Sequence, residues 1–154
     1  MIFISYSTLE HETASDVVRR LEHIGKGYFW AGKTNAIPAG TPDYWKFIEA
    51  RIAESECMFL MASELSLASK SVLYEISLAK KHAIKILPFY KGISPERLLP
   101  LLGRIQAVDA NNEDAVGAAI GQIARDSTNQ AFWAGAAAVG FVGFIVWLAK
   151  SEGK

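Results

Sequence analysis

Short, wholly apolar runs alternate along this chain with longer segments whose apolar residues recur every three or four positions, and these two periods assign its elements. Ile2-Phe3-Ile4-Ser5 reads as a buried strand, followed by an amphipathic helix over 10–24 with Ala14, Val17, Val18, Leu21 and Ile24 on one stripe. Gly25 and Gly27 end that helix, Tyr28-Phe29-Trp30 forms a second strand, and 32–40 is a loop rich in glycine, asparagine and proline. Thr41 as cap, Pro42 at the first helical position and Asp43 at the positive end of the dipole predict a helix that runs to about Ser55. A third strand over 57–62, a third helix over 69–82 and a fourth strand over 83–90 follow. A short helix over 94–102, a fifth strand over 105–108 and a last helix over 112–125 complete the pattern. Such alternation predicts a parallel sheet joined by crossover helices, and strands apolar on both sides predict helices on both faces. Nothing like a targeting segment stands before the first strand, so the folded unit is expected to begin at Met1 in the cytosol.

The tail breaks this rhythm. No charged side chain occurs from Gln130 to Ala149, and a helix over 131–149 would be about 28 Å long, close to the thickness of a bilayer core. Phe132, Val139, Phe141, Val142, Phe144, Ile145, Val146 and Leu148 each favour insertion by about 0.3–0.6 kcal/mol. Trp133 and Trp147 stand near opposite ends, and Lys150 and Lys154 follow at the polar boundary. The expectation is a domain over 1–126, then a linker and a tail-anchoring helix over 127–154, with the domain on the cytoplasmic face of the inner membrane. The soluble alternative is a hydrophobic helix packed between subunits, for which Ala136 and Gly140 would allow close approach.

Composition narrows the function. The 154 residues suffice for one domain and an appendage, and 16 basic side chains balance 16 acidic ones, which removes the positive excess that binding nucleic acid needs. Cys57 is the only cysteine and lies in an apolar run, so neither a disulfide framework nor a thiolate metal cluster is expected. His11, His23 and His82 lack metal-ligand spacing, and no metal is expected. Lys80 and Lys81 fall in the last turn of a predicted helix, where cations complement the dipole. Gly25-x-Gly27 follows a helix instead of a strand, the wrong context for a dinucleotide fingerprint.

Two places remain for chemistry. Ser5, Tyr6 and Ser7 end the first strand, whose carboxyl end in a parallel sheet adjoins the switch point where ligands bind. Glu75 stands beside the stripe Val72, Ile76 and Ala79, one turn after Ser71, and on pattern alone it reads as a solvated residue at the edge of the apolar face.

Four boxes in order resemble the Toll/interleukin-1 receptor-like (TIR) domain, in particular the enzymatic TIR domains of bacterial antiphage immunity. They are Phe3-Ile4-Ser5-Tyr6-Ser7; Ile37-Pro38-Ala39-Gly40 with Trp45, Ile48 and Ile52; Met61-Ala62-Ser63 with Ser69 and Glu75; and Leu87-Pro88-Phe89. The resemblance covers residues 1–125 and implies a flavodoxin-like five-stranded parallel sheet. It also implies cleavage of the nicotinamide-ribose bond of NAD+, as substrate and with no cofactor, with Glu75 as the catalytic carboxylate. Substrate-binding candidates that follow are Ser5, Tyr6, Ser7, Trp30, Lys33, Trp45 and Ser71, with Thr34 and Asn35 of the BB loop beside Lys33. Many such enzymes carry tryptophan four residues before the glutamate, where this chain has Ser71, so aromatic stacking would come from Tyr6, Phe29, Trp30 or Trp45. The resemblance further implies a homo-oligomer assembled through the BB loop. Its rivals are a non-enzymatic TIR adaptor, and a membrane-disrupting effector acting through the tail.

Overall fold

The computed structural model describes residues 1–31, 37, 40–103, 105–133 and 144–146. Its strands are β1 (Ile2–Ser5), β2 (Tyr28–Trp30), β3 (Cys57–Ala62), β4 (Lys85–Tyr90), β5 (Gln106–Asp109) and β6 (Phe144–Val146). The helices are α1 (His11–His23), α2 (Tyr44–Ala53), α3 (Glu64–Ala68), α4 (Lys70–Lys81), α5 (Leu99–Leu102), α6 (Glu113–Arg125) and α7 (Gln130–Trp133). The sheet order is β2-β1-β3-β4-β5-β6; the first five strands are parallel, and β6 runs antiparallel to β5.

Strand alternation sorts the core into two layers. Ile2, Ile4, Cys57, Phe59, Met61, Leu87 and Phe89 face α1 and α6, where they meet Val17, Leu21, Ala119 and Ile123. Phe3, Met58, Leu60, Ala62 and Ile86 face α2 and α4, where they meet Ile48, Ile52, Val72, Ile76 and Ala79. Cys57 is fully buried, and burial pushes its thiol up to about 12, so it acts as a small apolar side chain.

Local chemistry moves several element boundaries. A single 3-10 turn over Thr8–Glu10, capped by Ser7, precedes α1, which therefore starts at His11. The cap of α2 is Asp43 instead of Thr41: its carboxylate accepts from the Lys46 amide at 3.3 Å, so Pro42 lies before the helix. Ala83, at φ 54, turns the chain out of α4 and delays β4 to Lys85. The pattern passed over α3, a five-residue helix held by reciprocal bonds between Ser63 and Ser66, the first accepting from an amide and the second returning the favour.

The expected helix over 131–149 is not what the described residues form. Phe132 is 2 % exposed and packs into the layer beneath α1 and α6, while the Trp133 indole donates to the Ser127 carbonyl at 2.8 Å. A ring committed to the domain core cannot also insert into lipid, which removes the amino-terminal end of the expected span. Phe144–Val146 pairs as a strand with Gln106, Ala107 and Val108. Among the described residues no helix is long and apolar enough to cross a membrane. Residues 134–143 and 147–154 lie outside the described residues.

Candidate active site

β1 neighbours β2 on one side and β3 on the other, so the chain's crossovers diverge between β1 and β3, and in parallel sheets the carboxyl ends at such a point are where ligands bind. Ser5 is the last residue of β1 and shares the face of Phe3, two positions earlier, toward α2 and α4. From the other side, Ser69 caps α4 by accepting from the Val72 amide, and Val72, Ile76 and Ala79 pin that helix onto the sheet. Glu75 sits in its second turn, and helical side chains lean toward the amino terminus, here toward the end of β1.

The two elements meet in one bond: the Ser5 hydroxyl donates to Glu75 Oε2 at 2.5 Å. Glu75 is 8 % exposed and Ser5 1 %, so the pattern reading of Glu75 as solvated is corrected. Both of its helical neighbours at three-residue spacing face the core, and the carboxyl follows them inward. Burial raises the Glu75 carboxyl to about 7, with the Ser5 hydrogen bond holding it back in part. No ion pair to Glu75 occurs among the described residues. A buried acid compensated by a single hydroxyl is a group shaped for a ligand charge more than for stability.

Aromatic side chains group on either side of this pair's elements, after β1 and along α2. Burial raises the Tyr6 phenol, the Trp30 indole opposes the rise, and the Glu75 charge adds to it, which places Tyr6 within the field of that carboxylate. Tyr6 and Trp30 meet edge to face at 5.9 Å, and His11 lies 5.0 Å from Trp30. On the α2 side, Trp45 contacts Tyr74, the residue next to Glu75, with ring centroids 4.7 Å apart.

The expected site residues thus divide. Ser5 binds Glu75, Tyr6 lies within its field and Trp30 packs on Tyr6, whereas Trp45 reaches only Tyr74, an exposed ring on another face of α4 than buried Glu75. Ser7 instead caps the turn before α1, accepting from the Leu9 amide at 3.5 Å. Ser71 is exposed on α4. Phe29 is withdrawn as a stacking candidate: it is buried and packed against Phe3 and Phe47. Lys33, Thr34 and Asn35 lie outside the described residues. Cationic Lys80 and Lys81 end α4 as expected, and Lys81 and His82 both bind Glu49 of α2, so they tie two helices together instead of serving the crevice. Among the described residues no cluster of histidine, cysteine, aspartate or glutamate can hold a metal ion.

One residue escaped the sequence reading. Tyr44, the first residue of α2, is 43 % exposed, and its phenol is raised by burial, by the Glu75 charge and by Tyr6. The signal available was Asp43 as an alternative cap, which would have put Tyr44 at the first position of α2.

A family model described as TIR domain matches residues 2–124 of the chain. No curated protein matches it.

Proposed function

Because the chain belongs to the TIR domain family, we propose that it cleaves the nicotinamide-ribose bond of NAD+ at the crevice around Glu75. The observation that carries this reading is the buried Glu75 carboxyl held by Ser5 at 2.5 Å, with no cation beside it among the described residues. As the bond from the ribose anomeric carbon to the ring nitrogen breaks, the electron pair leaves with nicotinamide, which departs neutral. Positive charge then develops on the ribose, and a fixed carboxylate in a poorly solvated place stabilises it. Water adds to the anomeric carbon and gives up a proton, yielding ADP-ribose; attack by a hydroxyl or the adenine of the same molecule gives a cyclic product instead.

Purified protein incubated with NAD+ at low and high protein concentration tests this. Nicotinamide release that disappears in Glu75→Gln supports it; equal release by that variant refutes the role of Glu75. The reading includes self-assembly through the loop at 32–40 and action in antiphage defence, for which a rise of specific activity with protein concentration is the first check. It also includes membrane attachment through the uncharged run after Trp133, which requires Phe144–Val146 to leave their pairing with β5, and alkaline extraction of membranes tests it.

A non-enzymatic adaptor is the second reading, favoured by the exposed Ser71 on the site's helix. It predicts no turnover at any concentration, together with binding to another TIR protein.

A further inference from the structure

We propose that the groove between α1 and α6 is a second ligand site, shaped for a nucleoside monophosphate, a single phosphate carried on a flat-ringed body. It lies on the face of the sheet turned away from Glu75, so it does not rest on the reading of NAD+ as substrate. The space measures about 430 Å³, within the range of about 300–1,000 Å³ that small organic ligands occupy.

Arg20 of α1 carries the charge argument. Its half-buried side chain lines the groove and reaches across it, so that Nη1 lies 3.5 Å from where a Cβ on Gly117 would stand. Among the described residues this guanidinium has no carboxylate within ion-pair distance and no hydrogen-bond acceptor. Asp16, on the preceding turn, is bonded to Arg19 instead. His23 adds a further basic group one turn on, at the same groove. A guanidinium drawn partly out of water is ordinarily matched by an anion, and its planar set of donors suits a phosphate.

The rest of the groove suits a ring. Gly117 and Gly121 present bare helix backbone to it, Ile120 is 2 % exposed beneath them, and Ile24 stands 44 % exposed at its border. Close packing does not demand either glycine: a Cβ at 121 would meet only the tip of Arg125, at 3.4 Å, although glycine is the poorest ordinary residue in a helix interior. A flat ring laid there removes the open side of Ile24 from water. Glu113 also lines the groove, where its carboxylate accepts from a ring amine or a sugar hydroxyl and repels a second phosphate.

Calorimetric titration of the protein with AMP, ADP, adenosine and inorganic phosphate tests the site, with two variants whose melting curves confirm that they fold. Arg20→Gln removes the charge. Gly121→Leu fills the groove with a residue that suits a helix better than glycine does, so loss of binding there is not loss of fold. The expected result is that AMP binds at least about tenfold more tightly than adenosine or phosphate, that Arg20→Gln weakens it about tenfold, and that Gly121→Leu abolishes it. AMP binding unchanged in either variant overturns the proposal, since the nucleotide then sits elsewhere, the Glu75 crevice included. Phosphate or adenosine binding as tightly as AMP, ADP binding more tightly than AMP, or no AMP binding up to about 1 mM overturns it as well.

Discussion

The Ser5 hydroxyl donates to the Glu75 carboxyl across 2.5 Å, joining the carboxyl end of β1 to the second turn of α4. Among the described residues this bond is the one favourable contact offsetting the burial of that acid. Ser5→Ala removes it without enlarging the side chain. The acid then rises further above its present value of about 7, because the donor favours the ionised form. The acidic limb of the kcat/KM profile for nicotinamide release is expected to move to higher pH, with the plateau at high pH reduced less than the value at pH 7. An unmoved limb would mean that Ser5 does not act through Glu75.

Glu75 itself makes the fold pH-sensitive. Its folded value of about 7 lies above its ordinary 4.5, so the folded state binds the proton more tightly than the unfolded state. The stabilisation is complete below about pH 4.5 and is lost as pH rises through 7. Glu75→Gln keeps an acceptor for Ser5 and removes the titration. The variant is expected to come close to the parent's stability near pH 5 and exceed it at pH 8, by an amount on the order of 3 kcal/mol at most, with a correspondingly higher Tm. Identical pH dependence of Tm in the two proteins would contradict this. The same substitution abolishes the proposed reaction, so a site gained for charge stabilisation comes with reduced stability.

At the opposite, amino-terminal ends of β1 and β3, Glu56 binds the Met1 amine at 2.6 Å and Lys26 at 2.7 Å. Burial pushes its carboxyl up, but hydrogen bonds from Lys26, the Met1 amine and Ser127 outweigh that and bring it down to about 2. Here the stabilisation is present above about pH 4.5 and is lost as pH falls toward 2. The side chain is 32 % exposed, so solvent screening reduces its worth to about 1 kcal/mol. Denaturant titration of Glu56→Gln should show that loss at pH 7 and a smaller one at pH 3; a constant difference would point to packing instead of charge.

Phe132 tests where the domain ends. Buried beneath α1 and α6, its replacement by alanine is expected to cost about 3–5 kcal/mol and lower the Tm of the whole cooperative transition. A melting curve unchanged in Phe132→Ala would return this residue to the tail.

Much of the fold was legible because its signals are local and redundant. β1, β2 and β3 begin and end where their apolar runs do, since a strand covered on both faces leaves no polar positions to blur its bounds. The starts of α6 and α4 were placed within one residue, at Asn112 and Ser69, which the structure shows to be their caps. The start of α2 was misread because Thr41 and Asp43 both carry a side-chain oxygen that can cap a helix, and Pro42 between them suits a first helical position. Only the geometry of the incoming loop selects Asp43.

The tail shows the limit of hydropathy. An uncharged run is compatible with a lipid-facing helix and with burial in a protein core, since both remove apolar surface from water, and the pattern cannot tell which solvent replaces it. Phe132 went to the core because α1 and α6 leave a space for it, a fact of their packing and not of its neighbours in the chain.

By itself, then, the sequence determined the alternation of strands and helices, the two-sided apolar sheet, and the placing of Ser5 and Glu75 at segment ends and helix turns. These depend on periods of two and 3.6 residues and on capping groups within a few positions. Tertiary structure decided that Glu75 turns inward to Ser5, 70 residues away, that Phe29 is buried against its neighbours, and that Tyr44 stays exposed at the head of α2. Those outcomes depend on which element packs on which, and the energy of a buried carboxyl is set by surroundings that no local window contains.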